Sequence, residues 1–153
     1  MKNSTKSSVK AGAKPIVVLD SSVAIKWLTQ EEPFYEQASK VLHDYVNERI
    51  EIRIPDIFWW EVGNYFGREA DVKTATVVLM NLKKYQFPTH MLTDGLSIYA
   101  FKIMNKLKGV SFYDATYHSL AMQTKGTFIT SDRKYAEKAK SLGSVCFLPN
   151  YKS

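Results

Sequence analysis

The sequence predicts an α/β domain built on a mainly parallel sheet. Short apolar runs rich in β-branched residues alternate with helix-length segments from Pro15 onward, the pattern of strands joined by helical crossovers. The first run, Ile16-Val17-Val18-Leu19, is apolar without a break, which suits a strand covered on both faces. No internal repeat and no linker interrupts the alternation after Lys14, and 153 residues suit one domain.

Each element has a local reason. Ile16 to Leu19 is the first strand, ending at Asp20. Ser21 or Ser22 can cap a helix through Leu28, and a second helix runs from Phe34 to about Asn47. Ile50 to Ile54 is a strand that Pro55 ends, and Pro55-Asp56 opens a strong helical segment to about Ala70. Asp71 starts a further helix to about Tyr85, and Pro88 to Leu92 reads as a short edge strand. Asp94 caps a helix to about Leu107. Gly109-Val110-Ser111 is a loop before a helix from Phe112 to about Gln123. Gly126 precedes the strand Thr127 to Thr130; a helix from Arg133 to Leu142 and a last strand from Ser144 to Leu148 follow. In such sheets ligands gather beyond the carboxyl ends of the strands.

Composition excludes several classes. An apolar fraction of 45% argues against wholesale disorder. One cysteine, Cys146, leaves no disulfide framework and no Cys-based zinc site, and fits a reducing cytoplasm. No apolar run approaches a membrane span and the N-terminus lacks the apolar stretch of a signal peptide. The net charge of +6 is uneven: residues 1–14 hold Lys2, Lys6, Lys10 and Lys14 and no acid. That stretch reads as a flexible basic arm, with residues 15–153 as the folded domain. The domain carries 17 basic and 15 acidic groups, so its own net charge is only +2.

Glu31, Glu32, Glu36 and Glu48 read as solvated faces, and four other acids stand out. Asp20 follows the first strand in VVLDSSVAIKW, where a turn-forming Asp is the ordinary explanation. Asp132, in FITSDRK, could cap the next helix, and Ser111-x-x-Asp114 has the form of a capping box. Glu61 has no such local explanation. It lies mid-helix in IPDIFWWEVGNYF, with Ile57 at i−4, Trp60 at i−1 and Tyr65 at i+4, and an ionised carboxylate among apolar side chains is costly unless paired or bound to a cation. If the strands are parallel neighbours, all four acids can meet at one rim of the sheet. Crowded carboxylates repel unless protonated or neutralised, and oxygen-only ligands favour Mg2+ or Mn2+ over zinc. Such a cation suits hydrolysis of phosphodiesters, because it activates water and stabilises charge on the attacked phosphate.

The segments VVLDSSVAIKW, IPDIFWWEVGNYF, VSFYDATYHSLAM and FITSDRKYAEKAKSLG, in this order, resemble the successive motifs of PIN-domain ribonucleases, above all the VapC toxins of toxin–antitoxin pairs. The resemblance runs from about Ile16 to Leu148. It implies a three-layer α/β/α sandwich with strand order 3-2-1-4-5, and it matches Asp20, Glu61, Asp114 and Asp132 to an acidic quartet that holds Mg2+ or Mn2+. It further implies an endoribonuclease acting on tRNA, rRNA or mRNA, a homodimer, and a VapB-like antitoxin that wraps the nuclease. Gly63 stands where Ala is more usual, and the basic arm is not part of the pattern.

Supporting residues follow from the same motifs. Ser22 matches a small hydroxyl that orients water or phosphate, though an N-cap would look the same. Asn64, one turn beyond Glu61, is a candidate hydrogen-bond support for that carboxylate or a plain helix contact, and Thr130 matches the Thr of Thr-x-Asp with the same two readings. His118, at i+4 from Asp114, invites a ligand or base reading that the motifs do not require. Trp59, Trp60, Phe112 and Tyr117 read as core or dimer contacts rather than stacking platforms. Arg133 and Lys134, beside Asp132, are the preferred phosphate contacts. Alternatives are an rRNA-processing nuclease, a PIN scaffold that binds nucleic acid without cutting it, and a phosphoacceptor module on a similar sheet, which Asp20 followed by two serines fits poorly.

Overall fold

The structure is a computed structural model that describes residues 12–30 and 33–153. Expectations for residues 1–11 of the basic arm, and for Glu31 and Glu32 as solvated side chains, lie outside the described residues. In chain order the elements are β1 (Ile16–Leu19), α1 (Ser21–Leu28), α2 (Tyr35–Val46), β2 (Glu51–Pro55), α3 (Ile57–Glu69) and α4 (Val72–Lys83). They continue with β3 (Thr89–His90), α5 (Asp94–Lys106), α6 (Phe112–Thr124), β4 (Thr127–Thr130), α7 (Arg133–Ala139) and β5 (Val145–Phe147). Short 3-10 turns cover Lys140–Leu142 and Leu148–Asn150.

The five strands form one sheet in the order β3-β2-β1-β4-β5, every neighbouring pair parallel. This is the α/β architecture and strand order expected above. Val18 and Leu19 of β1, Ile52 and Ile54 of β2 and Phe128 of β4 are wholly inaccessible, as strands covered by helices must be. α6 lies against β1, β2 and β4 and also packs on α5. Ala115 to Ala121 are therefore buried on every side of that helix. Its buried polar groups are all answered: Thr116 Oγ1 donates to the Phe112 carbonyl (2.7 Å) and Ser119 Oγ to the Leu96 carbonyl (2.9 Å). A central helix pinned in this way gives Asp114, in its first turn, a fixed position.

Local details differ from the sequence reading. The N-cap of α1 is Asp20, whose carboxylate accepts the Ser22 N–H, while Ser21 and Ser22 lie in the first turn. Thr93, not Asp94, caps α5, because its hydroxyl reaches the Leu96 N–H. Pro55 belongs to β2 rather than ending it before the proline. The β1–β2 pairing stops at Arg53, while the Ile54 and Asp56 N–H groups donate to the Pro88 and His90 carbonyls, so the missing proline N–H takes no bond from the ladder. α7 stops at Ala139, tightens into the 3-10 turn and ends at Gly143, whose φ of +70° suits glycine. Among the described residues no helix is long and apolar enough to cross a membrane.

Candidate functional site

The carboxyl edge of the sheet gathers the four singled-out acids. Asp20 leaves the end of β1 and is buried; Asp132 follows β4 and caps α7 through the Tyr135 N–H at 3.0 Å. Asp114 stands in the first turn of α6, capped by Ser111, and Glu61 projects from α3. One oxygen of each is held by a close donor. Asp20 Oδ2 accepts from Thr130 Oγ1 at 2.6 Å and Ser22 Oγ at 3.0 Å, and Glu61 Oε2 accepts from the Tyr117 hydroxyl at 2.5 Å. Asp114 Oδ2 accepts from Ser111 Oγ at 2.7 Å, and the Tyr135 N–H occupies Asp132 Oδ1.

Their charges act on one another along the rim. Burial pushes the Asp20 carboxyl up to about 6, with the Glu61 and Asp114 charges adding to it and the hydrogen bonds from Thr130 and Ser22 opposing it. Glu61 is raised by burial and by Asp114, against Tyr117 and Ser21. Asp114 is raised by burial and by Asp132, against Ser111. Repulsion thus links all four acids. Among the described residues, no group of three His, Cys, Asp or Glu side chains closes into a ready-made metal cluster. The donor set nevertheless fits a hard divalent cation: it is all oxygen, oriented by hydroxyls, and destabilised by its own charge.

Ser22 and Thr130 both act beyond helix capping. Ser22 Oγ donates to Asp20 and accepts the Ser131 N–H (3.4 Å), while Thr130 Oγ1 accepts the Asp132 N–H at 3.0 Å. Together they tie the ends of β1 and β4 into one rim. Asn64 does not join them. It is exposed in a groove with Trp59, Trp60, Gly63, Leu79 and Lys83, sharing the i, i+4 stripe of Trp60, and Glu61 takes its hydrogen bonds from Tyr117 and Ser21 instead. Trp60 is 73% exposed, so it does not bury Glu61 either. His118 is fully buried and structural. Its Nε2 donates to the Gly143 carbonyl (2.8 Å), so Nδ1 accepts from the Tyr135 hydroxyl (2.9 Å), and burial lowers its pKa, keeping it neutral.

Tyr117 and Ser21 are the residues that sequence reasoning missed. Tyr117 is stacked on Phe128 at 5.3 Å, a core contact, yet its hydroxyl reaches Glu61. The available signal was spacing, since Tyr117 lies at i+3 from Asp114 and shares its face. Arg133 and Lys134 are exposed at the start of α7, with the Arg133 guanidinium 5.1 Å from the centre of the Phe147 ring.

A family model for the PIN domain matches residues 17–141. The chain belongs to the PIN domain family. Several solved structures share its fold at low identity. FitAcB from Neisseria gonorrhoeae is 16% identical, with a TM-score of 0.70 over 88% of this chain and 99% of that one. VapC20 from Mycobacterium tuberculosis, a sarcin–ricin loop cleaving toxin, is 13% identical, with a TM-score of 0.63 over 84% of this PIN chain and 96% of its own. VapBC2 from Rickettsia felis, bound to a DNA fragment from its promoter, is 13% identical with a TM-score of 0.63, covering 80% and 92%. No curated protein sequence matches.

Proposed function

We propose that this PIN domain is a Mg2+- or Mn2+-dependent endoribonuclease and the toxin of a toxin–antitoxin pair. The observation that carries the reading is the convergence of Asp20, Glu61, Asp114 and Asp132 on one rim, where each pair of neighbours repels. These four would hold the cation, which supplies Lewis acidity for phosphodiester hydrolysis when bound. Thr130 and Ser22 orient Asp20, and Ser111 orients Asp114. Arg133 and Lys134 bind backbone phosphates beside Asp132 and hold the RNA across the rim.

The toxin role draws on the likeness to VapC20, VapBC2 and FitAcB. The groove of Trp59, Trp60, Gly63, Asn64, Leu79 and Lys83 is an apolar surface with a lysine at its side, which suits an apolar, acidic segment of a VapB-like antitoxin. A homodimer is part of the same proposal. The decisive assay is cleavage of total cellular RNA with Mg2+ or Mn2+, with EDTA, and by Asp20→Asn. Cleavage is expected only with the metal and the native aspartate; cutting that survives EDTA and the substitution would overturn the mechanism. RNA binding without turnover under every metal condition would favour a non-cleaving scaffold.

A further inference from the structure

We infer that Tyr117 is a positioning residue for the metal site, its hydroxyl fixing the Glu61 carboxylate toward the other three acids. The inference rests on the metal-dependent reading above and assigns a task to a residue outside the acidic quartet.

The geometry is specific. Glu61 comes from α3 and Tyr117 from α6, 56 positions apart, and the Tyr117 hydroxyl meets Glu61 Oε2 at 2.5 Å. A glutamate on a helix has free rotation about its side-chain bonds and needs an outside group to hold it in one orientation. Each aspartate finds its holder within its own turn or on the adjoining strand: Thr130 and Ser22 for Asp20, Ser111 for Asp114, the Tyr135 N–H for Asp132. Glu61 lacks a close donor on its own helix, so its holder comes across the core.

Tyr117 is itself rigid. Its ring is wholly inaccessible, lies 5.3 Å from Phe128 at an interplanar angle of 13°, and belongs to the central stretch of α6 that is buried on every side. The phenol therefore transmits the position of α6 directly to Glu61. Because Asp114 lies one turn earlier on the same helix, α6 sets two of the four acids at once. Donors outside the coordination sphere that orient ligands in this way commonly matter to metal affinity by about 10–100-fold.

The test is a double-mutant cycle on the full chain. Tyr117→Phe removes only the hydroxyl and leaves the ring on Phe128; Glu61→Ala removes the group it is said to hold. Mn2+ affinity is read by electron paramagnetic resonance, and apparent KM for RNA and kcat by cleavage at saturating Mn2+. Tyr117→Phe is expected to weaken Mn2+ binding about 10-fold with KM for RNA nearly unchanged, and to add less than about twofold once Glu61 is alanine. Equal losses in both backgrounds, or no loss in either, would mean that Tyr117 does not act through Glu61. Unfolding midpoints in EDTA check the fold. If Tyr117→Phe does not fold, tyrosine labelled with 13C at Cζ gives an independent readout: Glu61→Ala must shift one buried resonance, and an unshifted spectrum overturns the contact. Native protein that takes up no Mn2+ overturns the metal reading and this inference together. Native protein that binds Mn2+ no better than Tyr117→Phe overturns the inference alone.

Discussion

Asp20 shows how a single residue at a strand end can cap a helix and still carry an electrostatically costly charge. It caps α1, accepts hydroxyls from Thr130 and Ser22, and is nonetheless pushed up to about 6 by burial and by the charges of Glu61 and Asp114. Its unfolded value is about 3.9, so folding favours the protonated form. The stability this group contributes is therefore full below about pH 4, is lost as pH rises through 6, and stays lost at pH 7.5. Asparagine cannot ionise and is an equally good cap. In EDTA at pH 7.5, Asp20→Asn is expected to unfold later than the native chain, by about 1–3 kcal/mol, and the gain should vanish near pH 4. The comparison is a difference because His90 and His118, both lowered by burial, work in the opposite direction as pH falls below about 6.5. Adding Mn2+ should raise the native midpoint and raise that of Asp20→Asn less. An asparagine variant less stable at pH 7.5 would contradict this account of Asp20.

The elements were largely legible because each carried its own signal. Short runs rich in β-branched residues marked β1 and β4, and the Pro55-Asp56 start and the Asp71 cap placed α3 and α4. What local patterns hid were choices between competing neighbours. Asp20 out-competed two serines for the α1 cap, and Thr93 out-competed Asp94 for that of α5, since only the three-dimensional path decides which side chain meets the free N–H. The acids at the site were legible as charges in apolar or strand-end settings. Tyr117 was not, since a buried tyrosine ring on a core helix reads as packing until its hydroxyl is located. Glycines make the same distinction testable. A Cβ on Gly126, between α6 and β4, would stand 2.7 Å from the Ile16 carbonyl oxygen in β1, whereas one on Gly67, exposed in α3, would meet nothing within 4 Å. Gly126→Ala is expected to cost about 1–3 kcal/mol by overpacking, and Gly67→Ala to stabilise by up to about 1 kcal/mol through helix propensity. Urea midpoints of the two variants check the contrast; similar shifts of one sign would refute it.

Across the whole molecule, carboxylates of opposite character occupy the two ends of the sheet. At the carboxyl edge the acids raise one another. At the other edge Asp44, with a side chain 1% exposed, accepts from the Tyr151 hydroxyl at 2.8 Å and Arg49 Nη1 at 3.3 Å. Burial there would raise its carboxyl, but hydrogen bonds from Tyr151, Ser153 and Arg49 outweigh burial and hold it below the usual range. These residues border a cavity of ≈ 280 Å³, lined also by Ile16, Ile129 and Cys146, beneath the chain's last residues. At one end hydrogen bonds and a guanidinium stabilise the ionised carboxylate, and at the other the acids are destabilised by burial and by one another's charge. Tyr151→Phe tests that division. Loss of one hydrogen bond to a buried charge should lower stability by about 1.5–3 kcal/mol at neutral pH. The deficit should shrink as pH falls through the folded value of Asp44, because its carboxylate contributes only while ionised. Metal uptake and RNA cleavage, measured below the lowered unfolding midpoint, should match those of the native chain. A Tyr151→Phe variant with native stability but impaired Mn2+ binding would show that the two ends are coupled through the sheet.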